Sequence, residues 1–208
     1  MAEEKNYNKA ITIVLAIIIC FAAITILYVN LPKEDTTEED EQEETPSVDD
    51  TTVLTLIYED EEKEYTLTEL ISSFFIYEGA GEYIKTGWLP DEVVLGGPYD
   101  FLGFDILELV AEFDNLPENY SITVTATDNR TTNYSYEEMQ GLVDIYDETT
   151  GEVYDIGNLT MIVAYFQDGT PISEDDGGPL RITFIDTDQI TASGLWTKYV
   201  DSIEIIEE

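Results

Sequence analysis

Ala164–Ile185 reads AYFQDGTPISEDDGGPLRITFI, and Leu195–Ile205 soon after it reads LWTKYVDSIEI. The first stretch carries two breaks in an otherwise apolar text. Asp168-Gly169 supplies residues that tolerate left-handed backbone, and Gly177-Gly178-Pro179 permits a sharp turn whose exit proline fixes. TMIVAYFQ (Thr160–Gln167) before the first break and LRITFI (Leu180–Ile185) after the second are therefore expected to be buried strands. Arg181 opens the second of these. Beyond residue 52 it is one of only five basic residues, with Lys63, Lys85, Arg130 and Lys198. An arginine in that setting either binds an anion or pairs with structural carboxylates or carbonyls.

Reading outward, the same alternation recurs. VLTLIY (Val53–Tyr58) is a strand followed by the turn-rich EDEEKE, which suggests a hairpin. Thr68 is placed to cap a short helix, TELISSF. FFIYEGAG and EYIKTGW read as extended. Asp105 and Glu108 make a D-x-x-E capping signature ahead of Ile106, Leu109, Val110 and Phe113, which share one helix face. Ser121–Thr127 is a strand that ends at the Asp128-Asn129 turn, and Ser135 with Glu138 forms a second capping box. Strands outnumber short, scattered helices, which predicts an α+β domain on mixed β-sheet.

Composition bounds the chemistry. The chain of 208 residues has a formal net charge of -38, no histidine and one cysteine, Cys20. A surface of that sign repels nucleic acid and anionic lipid headgroups, so no nucleic-acid partner is expected. One cysteine excludes an intrachain disulfide, and the lack of imidazole removes the side chain that most often does proton chemistry near neutrality.

Ala10–Val29 reads AITIVLAIIICFAAITILYV, an uncharged run long enough to span a bilayer core. Lys5 and Lys9 precede it and an acidic block follows, so residues 1–9 are expected in the cytoplasm and everything after Val29 outside. A cleaved signal peptide is the rival, but the run is long and no small-residue cleavage site follows. Residues 30–52 hold ten carboxylates between Glu34 and Asp50 and read as a disordered, self-repelling stalk. Residues 53–208 form the ectodomain, with 34 acidic against five basic residues. The expected location is the cell membrane, single-pass, with residues 10–29 as the lipid contact.

Three stretches together resemble the oxidoreductase molybdopterin-binding domain family, the fold of sulfite oxidase and its relatives. They are GPYDFLGFDILELV (Gly97–Val110), SITVTATDNRTTNYSYEEM (Ser121–Met139) and the opening pair, Ala164–Ile185 with Leu195–Ile205. The resemblance implies a sulfite-oxidase-like fold, and it makes Arg181 and Lys198 the positions that would hold a phosphate-bearing pterin. In catalytic relatives a cysteine thiolate binds molybdenum. Here the region expected to supply it, Phe74–Trp88, reads FFIYEGAGEYIKTGW and offers only oxygen donors such as Tyr77, Glu78, Glu82 and Tyr83. The N-terminus, MAEEKNYNKA, also lacks a twin-arginine signal. The expectation is thus a non-catalytic module without cofactor that binds an extracellular ligand or protein. Two alternatives stay open: an oxidoreductase subunit that still binds a molybdopterin-type cofactor, and a structural cell-envelope protein.

Other features are less specific. Asp186 with Asp188, and Asp144 with Asp147, place carboxylates in expected loops without completing a calcium-binding pattern. Four N-x-[ST] sequons, at Asn119, Asn129, Asn133 and Asn158, fall near expected turns on the outer side and are glycosylation candidates. Trp88, Tyr99, Phe101 and Trp196 either fill the core or line a groove.

Overall fold

The computed structural model describes residues 51–85, 93–186 and 188–207. The expected membrane span at 10–29, the cytoplasmic segment 1–9, the stalk up to residue 50, Cys20 and Trp88 lie outside the described residues. Among the described residues, no helix is long and apolar enough to cross a membrane.

Two sheets carry the domain. The first has the order β2-β1-β13-β5-β6: β1 (Thr52–Tyr58), β2 (Glu61–Thr66), β5 (Tyr120–Ala126), β6 (Thr131–Tyr134) and β13 (Val200–Glu207). β1 and β13 run parallel, with Thr55 opposite Ser202 and Tyr58 opposite Ile205, while the other neighbours are antiparallel. The alternation of β5 explains its place: Tyr120, Ile122, Val124 and Ala126 are buried and the residues between them are not.

The second sheet runs β10-β9-β4-β3-β12-β7-β8, with β11 on β9. Its strands are β3 (Tyr77–Lys85), β4 (Val94–Asp105), β7 (Asp144–Tyr146), β8 (Val153–Ile156), β9 (Thr160–Gln167), β10 (Thr170–Pro171), β11 (Arg181–Ile185) and β12 (Ile190–Ala192). β11 is buried at all five positions, the polar Arg181 and Thr183 included. Residues from both sheets share one core: Leu54, Ile122 and Ile203 from the first, with Phe101, Phe104, Ile162 and Phe184 from the second. The helices are short: α1 (Leu67–Ser73), α2 (Ile106–Val110) and α3 (Tyr136–Met139). The result is a mixed β-sheet domain with few short helices, in agreement with the α+β expectation.

Local expectations hold at most places. Asp105 caps α2 and accepts from the Leu107 amide at 2.7 Å. Ile106, Leu109, Val110 and Phe113 are buried. Ser135 and Glu138 form the capping box of α3 in both directions. Three details differ. The cap of α1 is Thr66, not Thr68, because Thr66 with Glu69 completes a reciprocal capping box. Most of EDEEKE is strand β2, and the turn is confined to Glu59-Asp60, where Glu59 has a φ of 53°. Asp144 is in strand β7 rather than a loop.

Candidate functional site

The segment from Leu195 to Val200 is irregular, yet it is firmly placed. The Ile182 amide donates to the Thr197 carbonyl at 2.8 Å, the Val200 amide to Leu180 at 3.0 Å, and the Tyr199 amide to Gly177 at 2.7 Å. Arg181 and Lys198 face each other across an isolated antiparallel bridge. The two sequence-predicted site residues, 17 positions apart, are thus brought together by the turn at Gly177-Gly178-Pro179 and the return of the chain after β12.

Arg181 is 4% exposed. Its Nη1 donates to Gln167 Oε1 at 3.0 Å, and its guanidinium lies 5.5 Å from the Trp196 ring centroid and 5.8 Å from that of Phe101. This geometry is that of a cation held on aromatic faces. Its Nε has no hydrogen-bond partner among the described residues, which leaves one buried donor unmet. The expected alternatives were an anion-binding arginine or one paired with carboxylates or carbonyls. Among the described residues no carboxylate pairs with it; the side-chain amide carbonyl of Gln167 and two aromatic rings hold it, which agrees with the structural alternative. Burial lowers the pKa of the guanidinium, while Tyr83, Tyr99 and Asp176 act the other way.

Aromatic residues extend the site. Trp196 is fixed by its indole N–H, which donates to Thr191 Oγ1 at 2.8 Å. Tyr83 meets Trp196 edge-on at 4.8 Å between centroids, Phe101 meets it at 5.6 Å, and Tyr99 packs edge-on against Phe101 at 6.1 Å. The expectation that Tyr99, Phe101 and Trp196 either fill the core or line a groove resolves by residue. Phe101 is fully buried, Trp196 is buried at the edge of a cleft, and Tyr99 is half-buried. Gly81 is needed here for close approach, since a Cβ would stand 2.6 Å from the Phe184 carbonyl oxygen and 3.0 Å from Trp196 Cη2.

Lys198 is pushed below its ordinary pKa by burial first, then by Arg181 and by Lys85; Asp176 opposes them. Lys85 extends over the Tyr83 ring at 6.0 Å. Three of the domain's five cations therefore act on one locality. Beside it opens a cleft of about 340 Å³ lined by Ala126, Arg130, Thr131, Thr132, Ser193, Gly194, Trp196, Thr197 and Lys198. That lining has two cations and no carboxylate, in a domain where acids outnumber bases 34 to five. Gln167, Thr132 and Thr197 carry no motif and were not legible as site residues; Gln167 simply ends an apolar strand.

The donors gathered here are guanidinium, ammonium, phenol, indole, hydroxyl and amide. A phosphate or carboxylate group suits them. A thiolate-held molybdenum does not, because Tyr77–Lys85 contains no soft ligand and the only cysteine of the chain is Cys20. Tyr77 Oη donates to Glu108 Oε1 at 2.8 Å, which ties it to α2.

The remaining candidates separate. Asp147 accepts from the amides of Thr149 and Thr150 and shapes its own turn. Asp186 and Asp188 flank a position outside the described residues. Among the described residues, no group of three or more acidic, histidine or cysteine side chains is arranged to hold a metal ion. Asn119, Asn129, Asn133 and Asn158 are all exposed. Asn133, however, lies in strand β6, where its Oδ1 accepts from Thr123 Oγ1 at 3.0 Å, and not near a turn. No protein-family model matches the chain, and comparison with curated proteins gives no significant match.

Proposed function

We propose that this chain is a single-pass, membrane-anchored protein whose extracytoplasmic domain, on a sulfite-oxidase-like scaffold, binds a small anionic ligand and performs no molybdenum chemistry. One observation carries the reading: Arg181, Lys198 and Lys85 converge on an aromatic wall inside a strongly acidic domain. Among the described residues none of the three forms an ion pair, and only Asp176 opposes their mutual repulsion at Arg181 and Lys198. Cations set close together cost free energy, and a bound anion relieves that cost. The acidic exterior then excludes large polyanions while the focused positive site admits small ones. Residues 10–29 would hold the protein in the bilayer, with residues 30–52 as the stalk and the exposed sequons at Asn119, Asn129, Asn133 and Asn158 as positions for glycans.

The test is titration of the full chain, purified in non-ionic detergent, with inorganic phosphate, pyrophosphate and a dicarboxylate. Trp196 fluorescence in a Trp88→Phe background is the readout. Saturable binding of at least one anion, lost in Lys198→Met, is the expected result; no saturable response to any of them overturns it. The same Arg181–Lys198 pair also favours one second reading, retention of a pterin cofactor. Stoichiometric molybdenum or tungsten in the purified protein would establish that reading instead.

A further inference from the structure

Five strands pair with another strand on one flank only: β2 and β6 in the first sheet, and β10, β11 and β8 in the second. β11 is buried throughout, and three of the other four are blunted. β2 presents Glu61, Glu62, Lys63 and Glu64. β6 is Thr131, Thr132, Asn133 and Tyr134, with only Tyr134 buried. β10 is two residues long and ends in Pro171. Charge, polarity, shortness and proline are the usual means of preventing edge-to-edge pairing.

β8 is the exception. Among the described residues it pairs with β7 alone, and all four of its residues are exposed. Val153, Tyr154 and Ile156 stand 48%, 60% and 56% exposed. A largely apolar strand paired on one flank only can accept another strand. The Ile156 amide donates to Asp155 Oδ1 at 2.9 Å, a local contact that an incoming strand would replace.

The surrounding charge selects the occupant. Asp144, Asp147, Glu148, Glu152 and Asp155 lie in or beside the β7–β8 hairpin, and no basic residue occurs from Val143 to Gly157. A second copy would bring a net charge of -38 against another of -38, and the chain's own acidic stalk would be repelled in the same way. We infer that β8 is a strand-addition site for a basic partner segment, extended in conformation, with lysine or arginine alternating with aliphatic residues. Backbone pairing to β8 would supply the register, Val153, Tyr154 and Ile156 the apolar contacts, and the hairpin carboxylates the charge selection.

The probe is a fluorescein-labelled eight-residue peptide of alternating Lys and Val, followed by anisotropy against the full chain in non-ionic detergent at low salt. The matched peptide with Glu for Lys is the control. The variant Tyr154→Ser/Ile156→Ser keeps the net charge and alters only exposed side chains. The expected result is saturable binding of the basic peptide that weakens with added salt, no binding of the acidic peptide, and an affinity at least ~10-fold lower in the double variant. Equal binding to the double variant would mean attraction to the acidic surface at large and overturns the proposal. So does binding of the acidic peptide, or no binding at all. Sedimentation velocity closes the remaining route: a wild-type dimer that the double variant abolishes would make the occupant a second copy and refute the assignment.

Discussion

The Tyr134 hydroxyl on β6 lies 2.7 Å from Thr197 Oγ1, between the site residues Trp196 and Lys198. It also donates to the Leu195 carbonyl at 2.9 Å, and Thr197 Oγ1 reaches Thr132 Oγ1 at 2.8 Å. Two strand residues of the first sheet thus clamp the irregular segment that carries half of the site.

Tyr134→Phe should therefore act on stability and on binding together. Tyr134 is fully buried, so the change strands buried hydrogen-bonding groups and costs about 1–3 kcal/mol. Urea denaturation measures that loss. The anion titration of Lys198 should weaken in the same variant, whereas Thr197→Ser, which keeps the hydroxyl, should leave both close to wild type.

Gly177 is the second control point. Its φ is 101°, and a Cβ there would stand 2.6–2.7 Å from the Cβ, Cγ and Cδ of Lys198. Gly177→Ala should cost about 1–3 kcal/mol through backbone strain and displace the ammonium. The expected signature is a larger proportional loss of anion affinity than in Gly169→Ala. Gly169 also has a positive φ, of 78°, but no neighbour within 4 Å.

The two capping boxes set the helix ends. Thr66 accepts from the Glu69 amide at 3.2 Å and Ser135 from the Glu138 amide at 3.2 Å. Thr66→Ala and Ser135→Ala should each destabilise by ~1 kcal/mol, read as a lowered thermal midpoint. Thr68→Ala, at the position the sequence suggests for the cap, should have little effect.

Stability should pass through a maximum on the acid side of neutrality. Burial raises the Asp105 and Glu82 carboxyls above their ordinary 3.8 and 4.5, so their charged forms oppose folding, and that opposition fades as pH falls through the raised values. Glu69, Asp128 and Asp147 are held below their ordinary values by hydrogen bonds, chiefly from the backbone amides of Thr66, Arg130 and Thr150 respectively. The stability they add is present above 3.8–4.5 and is lost as pH falls through their lowered values. Thermal midpoints measured across pH should peak near ~4–5; a steady decline from pH 7 downward would contradict this.

Salt should stabilise the fold. Among the described residues only two ion pairs form, Lys63–Glu61 and Arg130–Asp128, so most carboxylates meet only one another across solvent. Raising KCl from ~0.1 to ~1 M shortens the screening length from ~10 to ~3 Å and should raise the thermal midpoint. An unchanged midpoint would show that the acidic surface carries no net repulsion.

Legibility followed the physics of each segment. Thr160–Gln167 and Ser121–Met139 were readable because alternation, turn residues and capping pairs act locally. Arg181 and Lys198 were readable as candidates because cations are scarce in this domain. Their aromatic setting was not, since Tyr83, Phe101 and Trp196 come from three separate elements and meet only through sheet pairing. β2 was hidden because edge strands can be almost wholly charged.

β13 sits in the middle of the first sheet, parallel to β1 and antiparallel to β5. A ribosome makes β1 some 145 residues before it makes β13 (Thr55 against Val200). Until then the β1–β2 hairpin has no partner on its inner flank, and β5 waits with one side open. Completion of that sheet is deferred to nearly the last moment of synthesis, so a premature stop ahead of Val200 should yield a sticky, protease-sensitive polypeptide rather than a slightly shortened domain.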